Sequence, residues 1–175
     1  MARLRSSRAS ARGDSMRLSL RTVRNEDEDF LFRLYASTRQ EEMSAWGWNA
    51  AQQDAFLRMQ FRAQRQGYAA DYAGAYHQVI LADDEPVGRL MVHRTEKEVR
   101  LVDISVVPAY RNRGLGAALI HDLMAECAAS RKPLRLQVAK GNRAVRLYER
   151  LGFLKTGGDE VYDHMWWDPT ASAPP

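Results

Sequence analysis

The chain has 175 residues, 45% of them hydrophobic and 27% charged, with a formal charge of +4 and a pI near 9.4. That length suits one domain with a substantial core, and no run approaches the ~18 consecutive apolar residues that a membrane span needs. A single cysteine, Cys127, excludes an internal disulfide framework and a Cys-rich metal site; His77, His93, His121 and His164 lack ligand spacing, so no metal is expected and a reduced, cytoplasmic setting fits.

Much of the positive excess lies in Arg3, Arg5, Arg8 and Arg12. Residues 1–15 are rich in Arg, Ser and Ala and have no apolar h-region, so they read as a disordered leader, with a transit peptide as the other reading. The domain is then residues 16–168, Met16 is an alternative start, and the Pro-, Ala- and Ser-rich 169–175 is a flexible tail. Arg17–Val23 alternates as an opening strand. Asn25 is a candidate N-cap, followed by acids 26–29 and a helical stripe of Phe30, Leu31, Leu34 and Tyr35. An aromatic loop, Met43–Trp48, leads to a second helix over about 50–66. Gln78–Ala82 and Pro86–Arg94 flank Asp83-Asp84-Glu85 as a hairpin. Arg100–Val107 is a strand ended by Pro108, Gly114–Ser130 a helix, Leu134–Val138 a strand, and Asn142–Leu151 a helix stopped by Gly152. Phe153–Thr156 and Val161–Trp167 close the chain as a hairpin through Gly157-Gly158-Asp159. The order is β-α-α-β-β-β-α-β-α-β-β, a mixed α/β domain.

The segment richest in chemistry is Val106-Val107-Pro108-Ala109-Tyr110-Arg111-Asn112-Arg113-Gly114-Leu115-Gly116. A strand ends in a basic, glycine-containing turn that opens directly into a helix. Free amides and the positive end of the helix dipole there favour phosphate, Gly114 and Gly116 permit close approach, and Arg111 and Arg113 add cationic donors. The turn lacks the Gly-Lys-Ser/Thr of a Walker loop, and Leu119 stands where a dinucleotide fold places its third glycine.

Arg111-x-x-Gly114-x-Gly116 resembles the pyrophosphate loop of the GNAT superfamily of acyl-CoA-dependent N-acyltransferases. A second block, Asn142-Arg143-Ala144-Val145-Arg146-Leu147-Tyr148-Glu149-Arg150-Leu151-Gly152-Phe153, also matches that family's Asn-x-Ala-x-x-Leu-Tyr-x-x-x-Gly-Phe. The resemblance covers about residues 17–167, loosely over 36–75. It implies a GNAT-like fold with acetyl-CoA as co-substrate. The amides of Arg111, Asn112, Arg113, Gly114, Leu115, Gly116 and Ala117 would hold the pyrophosphate. The backbone of Val106 and Val107 and the side chain of Asn142 would meet the pantetheine arm, which inserts where the strands around Ser105 and Val138 splay. Tyr148 would protonate the leaving thiolate as general acid; as a residue on its own it also reads as a core aromatic, and Asn142 also reads as a helix cap.

Asp103, in the Val-rich strand before the loop, is expensive to bury unpaired; it reads either as the general base or as the partner of an arginine. Strand parity puts it on the face opposite Arg100. Tyr35, Trp46, Trp48, Gln60 and Tyr68 are candidates for the acceptor site, against core packing as the plainer reading, and Trp166 and Trp167 fall on opposite faces of the last strand. The expected acceptor is a small-molecule amine, with a protein N-terminus or lysine as the alternative. A catalytically silent acyl-CoA sensor and a basic nucleic-acid-binding module are the competing classes; the second lacks a recognition motif, so neither nucleic acid nor membrane is expected as a partner. A homodimer is compatible with the resemblance.

Overall fold

A computed structural model describes residues 8–11 and 14–170. The expected leader and tail fall largely outside them. Within the leader span, Arg8–Ala11 (β1) pairs antiparallel with the start of Asp14–Thr22 (β2). A short 3-10 turn, Asn25–Asp27, enters helix Glu28–Ser44 (α1), and a long helix, Ala50–Asp71 (α2), follows. Tyr76–Ala82 (β3), Glu85–Arg94 (β4) and Val99–Val106 (β5) form a meander. Leu115–Ser130 (α3) leads to Leu134–Ala139 (β6), and Ala144–Arg150 (α4) to the hairpin Leu154–Gly158 (β7) and Tyr162–Trp167 (β8). From β2 onward the element order is the one the sequence pattern implies.

The eight strands run in the order β1-β2-β3-β4-β5-β6-β8-β7. Neighbours are antiparallel except β5 and β6, which the α3 crossover makes parallel. That parallel ladder is short: Val99↔Leu134, Arg100↔Arg135 and Leu101↔Leu136 pair, and beyond them the two strands run on without facing each other. The sheet is therefore open between residues 102–106 of β5 and 137–139 of β6.

One face of the sheet packs on α3 and α4 through Ile80, Leu90, Val92, Leu101, Leu119, Ile120, Leu123, Leu134, Leu136, Tyr148 and Met165. On the other face lie α1 and α2, with their own cluster of Leu31, Phe32, Tyr35, Met43, Leu57 and Phe61. Period-3.6 stripes supply the helical side of each cluster and period-2 alternation the strand side. Met43 is thus buried in α1 rather than part of the aromatic loop, which begins after Ser44. Asn25 is not an N-cap: it lies inside the 3-10 turn, and the carboxylate of Asp27 instead accepts the Arg24 N–H at 2.8 Å. Trp167 packs on the main cluster, whereas Trp166 lies beneath Arg135, 5.6 Å from ring centre to guanidinium.

The parity argument for Asp103 fails for a specific reason. Met91 faces Asp103 while the next residue, Val92, faces Leu101, so Val102 is an extra residue in β5. Such a bulge flips the alternation. Leu101 and Ile104 both reach the main core, and Asp103 shares the opposite, α2-facing side with Arg100.

Candidate active site

The turn before α3 is built by two left-handed residues, Asn112 (φ 60°) and Gly114 (φ 81°). The second is the N-cap of α3, and the first bond of the helix runs from the Ala118 N–H to the Gly114 carbonyl at 3.0 Å. The first-turn amides of Leu115, Gly116 and Ala117 have no acceptor within the helix, an arrangement that favours an anion. A Cβ on Gly114 would meet nothing within 4 Å, so the space above it is open to a ligand. Leu115 contributes only backbone, since its side chain is buried. Arg111 turns back: Nε donates to the Val106 carbonyl at 2.9 Å and an Nη to the carbonyl and hydroxyl of Ser37 at 3.3 and 3.2 Å. It ties the turn to β5 and α1. Arg113 lies exposed over the Tyr110 ring at 5.0 Å.

Val107 is also engaged: its N–H donates to Val87 and its carbonyl accepts from Tyr110. Asn142 accepts the Ala144 N–H on Oδ1 at 2.9 Å, capping α4 from just outside it; its Nδ2 is the atom left for a ligand. Tyr148 is 6% exposed and packs on Phe153 with ring centres 5.7 Å apart. Burial, and secondarily the charge of Asp103, push its hydroxyl up to about 12, so it carries its proton throughout the neutral range.

Asp103 is an arginine's partner. Arg89 of β4, 3% exposed, donates to Oδ2. Tyr68 of α2 donates to the same oxygen at 3.1 Å, and the Ser105 hydroxyl to Oδ1 at 2.8 Å. Arg89 also donates to Gln64 at 3.1 Å. His77 of β3 lies diagonally across the ladder from Arg89; burial, then the nearby guanidinium, lower its pKa to about 4, leaving it neutral. Burial first and Asp103 second raise Tyr68 above the ordinary phenol range, with the Tyr162 hydroxyl of β8 a further neighbour. Tyr68 and Ser105 thus gather on Asp103 where β5 and β6 separate, while Tyr148 packs in the main cluster on the other face of the sheet.

The other acceptor candidates fall into two groups. Tyr35 is buried and donates to Gln60 at 3.2 Å, a bond between α1 and α2. Trp46 and Trp48 are 41% and 38% exposed and form a triangle with Phe56, ring centres 5.0 to 5.3 Å apart. Arg89, Gln64 and His77 were not singled out by sequence. The signal for Arg89 was a lone arginine inside the apolar run Val87–Val92, which demands a buried acid.

Residues 38–169 match the acetyltransferase (GNAT) domain family, and the chain belongs to it. It is an acetyl-CoA-dependent N-acetyltransferase by that membership. Solved structures share the fold at low identity. The PaiA N-acetyltransferase of Thermoplasma acidophilum, in complex with coenzyme A, is 15% identical over 86% of this chain and 98% of that one, with a TM-score of 0.63. The ribosomal-protein-S18-alanine N-acetyltransferase of Escherichia coli is 18% identical over 89% and 96%, with a TM-score of 0.60. Arabidopsis thaliana Naa50, in complex with the bisubstrate analogue CoA-Ac-MVNAL, is 19% identical over 86% and 98%, with a TM-score of 0.57. No curated protein sequence matches. Among the described residues no helix is long and apolar enough to cross a membrane.

Proposed function

We propose that the protein transfers an acetyl group directly from acetyl-CoA to a primary amine, with Tyr148 as general acid and Asp103 as the final proton acceptor. The observation that carries this reading is the end of the β5–β6 ladder at Leu101↔Leu136, beyond which Asp103 lies on β5, held by Arg89, Tyr68 and Ser105. Bound acetyl-CoA supplies an activated thioester. The first-turn amides of α3, with those of Asn112, Arg113 and Gly114, would hold its pyrophosphate, and the open strand edges and Asn142 Nδ2 its pantetheine arm; the Arg111 N–H already donates to the Pro108 carbonyl at 3.2 Å. Tyr148, protonated and sealed by Phe153, is suited to give a proton to a thiolate. The acceptor is an amine of a small molecule or of a protein, presented from the α2 and β8 side, where Tyr68 and Tyr162 lie.

Calorimetric titration with acetyl-CoA tests the first half. Wild type should bind saturably, and folded Gly114→Glu should not, because its carboxylate enters the cradle. Tyr148→Phe tests the second: with the ring kept, affinity should hold while turnover falls about 100-fold, the lower end of general acid catalysis. Unchanged turnover removes Tyr148 from the mechanism.

A further inference from the structure

The carboxylate of Asp103 has little room for an acceptor amine. Its side chain is 12% exposed. Oδ2 is held by Arg89 and Tyr68, and Oδ1 by Ser105. Arg89 is itself sealed between β4 and Gln64 of α2. Of the two partly exposed groups that donate to the carboxylate, Tyr68 and Ser105, only Tyr68 comes from α2, on the proposed acceptor side; Tyr162, 41% exposed, starts β8.

We infer that Tyr68, rather than Asp103, is the residue that touches the acceptor amine, and that it relays the ammonium proton to Asp103. This rests on the transfer reading above, with Asp103 as the terminal proton acceptor. The phenol oxygen takes one proton from the ammonium as the phenol hydrogen passes to Oδ2, leaving neutral amine, neutral Tyr68 and protonated Asp103. The amine lone pair then forms the C–N bond as the C–S bond breaks. Tyr148 protonates the departing sulfur, and its phenolate takes the second proton from nitrogen. Asp103 returns its proton to solvent through Tyr68. No other reactant is needed.

The surroundings suit a relay. The groups around Tyr68 are Arg89 of β4, Asp103 of β5, Tyr72 of its own helix with ring centres 6.3 Å apart, and Tyr162 of β8, with neutral His77 of β3 adjoining the guanidinium. Tyr68 therefore holds its proton at neutral pH and donates it to the carboxylate. Arg89 is a positioning residue, fixing Oδ2 toward the phenol and stacking 5.8 Å from the Tyr68 ring centre. A phenol is also a far better proton carrier than the alkyl hydroxyl of Ser105.

Two probe nucleophiles separate proton removal from the rest of the reaction. Propylamine is an ammonium ion at neutral pH and hydroxylamine is uncharged, so only the first needs a base before attack. Free thiol release from saturating acetyl-CoA would be followed with each at high concentration, for wild type, Tyr68→Phe, Ser105→Ala and Asp103→Asn, alongside calorimetric titration of acetyl-CoA. Tyr68→Phe keeps the ring contacts. It should bind acetyl-CoA as wild type does, and lose at least tenfold more rate with propylamine than with hydroxylamine, as should Asp103→Asn. An equal loss with both nucleophiles, no loss, or the selective signature in Ser105→Ala instead overturns the relay. A selective loss in Asp103→Asn without one in Tyr68→Phe also overturns it while sparing the transfer reading. No release by wild type with either nucleophile defeats the transfer reading itself, and the relay with it.

Discussion

Arg21 and Asp27 show how one side chain joins an element to the fold. Arg21 of β2 grips both carboxylate oxygens of Asp27 at 2.6 and 2.7 Å, and the Arg24 N–H adds a third bond. Asp27 is 5% exposed, and the Arg21 hydrogen bond chiefly lowers its pKa to about 2. A depressed carboxylate stabilises the fold above its unfolded pKa, near 4, and that contribution is lost as pH falls through the folded value. Urea unfolding from pH 7 down to 2 should therefore show wild type losing its margin over Asp27→Asn between about pH 4 and pH 2. At pH 7 the variant should be weaker by about 2 kcal/mol, below the range for a fully buried pair because Arg21 is partly exposed. A margin unchanged at low pH would mean that the bond is not what lowers the carboxylate. Single residues were unevenly legible in the sequence. The carboxylate of Asp103 drew notice because burying it is expensive, yet its partner lies fourteen positions away on another strand. Asn25 looked like a cap because asparagine usually is one; two positions on, the cap is an aspartate with an arginine to hold it.

Whole elements were read well where periodicity is long, as in α3, and where glycine, proline or an acidic cluster marks the turn. The bulge in β5 left no such mark: an extra valine in a valine-rich strand keeps every local preference and still turns Asp103 toward α2. The strand–strand opening was likewise invisible to local pattern and entered only through the resemblance of Arg111–Gly116 and Asn142–Phe153. The β3–β4 hairpin carries strain of its own. Asp83 and Asp84 both have positive φ, 49° and 70°, in a turn that ordinarily takes Asn-Gly. The Asp83 side chain accepts the Arg17 N–H at 2.9 Å, whereas Asp84 contributes only an ion pair to Arg17 with side chains 58% and 73% exposed. Such a pair is worth little. Asp84→Gly should therefore stabilise the protein by about 0.5 kcal/mol, strain relief outweighing the pair and the added backbone entropy. Asp83→Gly, which forfeits the amide bond, should not. Thermal melts of both variants check the contrast; equal shifts would mean that Asp84 is unstrained.

At the scale of the whole molecule, the turn before α3 and the core are one structure. Leu115, the first residue of α3, is 1% exposed in the same cluster as Cys127 near the end of that helix, which is fully buried. The Cys127 thiol is pushed up to about 12, by burial first and by Glu126 second. With neither access nor thiolate, it should react with a maleimide only when the domain opens, so its labelling rate reads that opening. A ligand that binds only the closed form lowers the open population by the factor 1 + [L]/Kd. Acetyl-CoA at about 100 times its Kd should thus slow Cys127 labelling about 100-fold, provided reclosing outpaces labelling. Gly114→Glu should label at the same rate with and without acetyl-CoA. If acetyl-CoA binds wild type by calorimetry yet leaves the labelling rate unchanged, α3 opens locally around its C-terminal half, and the turn proposed to hold the pyrophosphate is not coupled to the core beneath it.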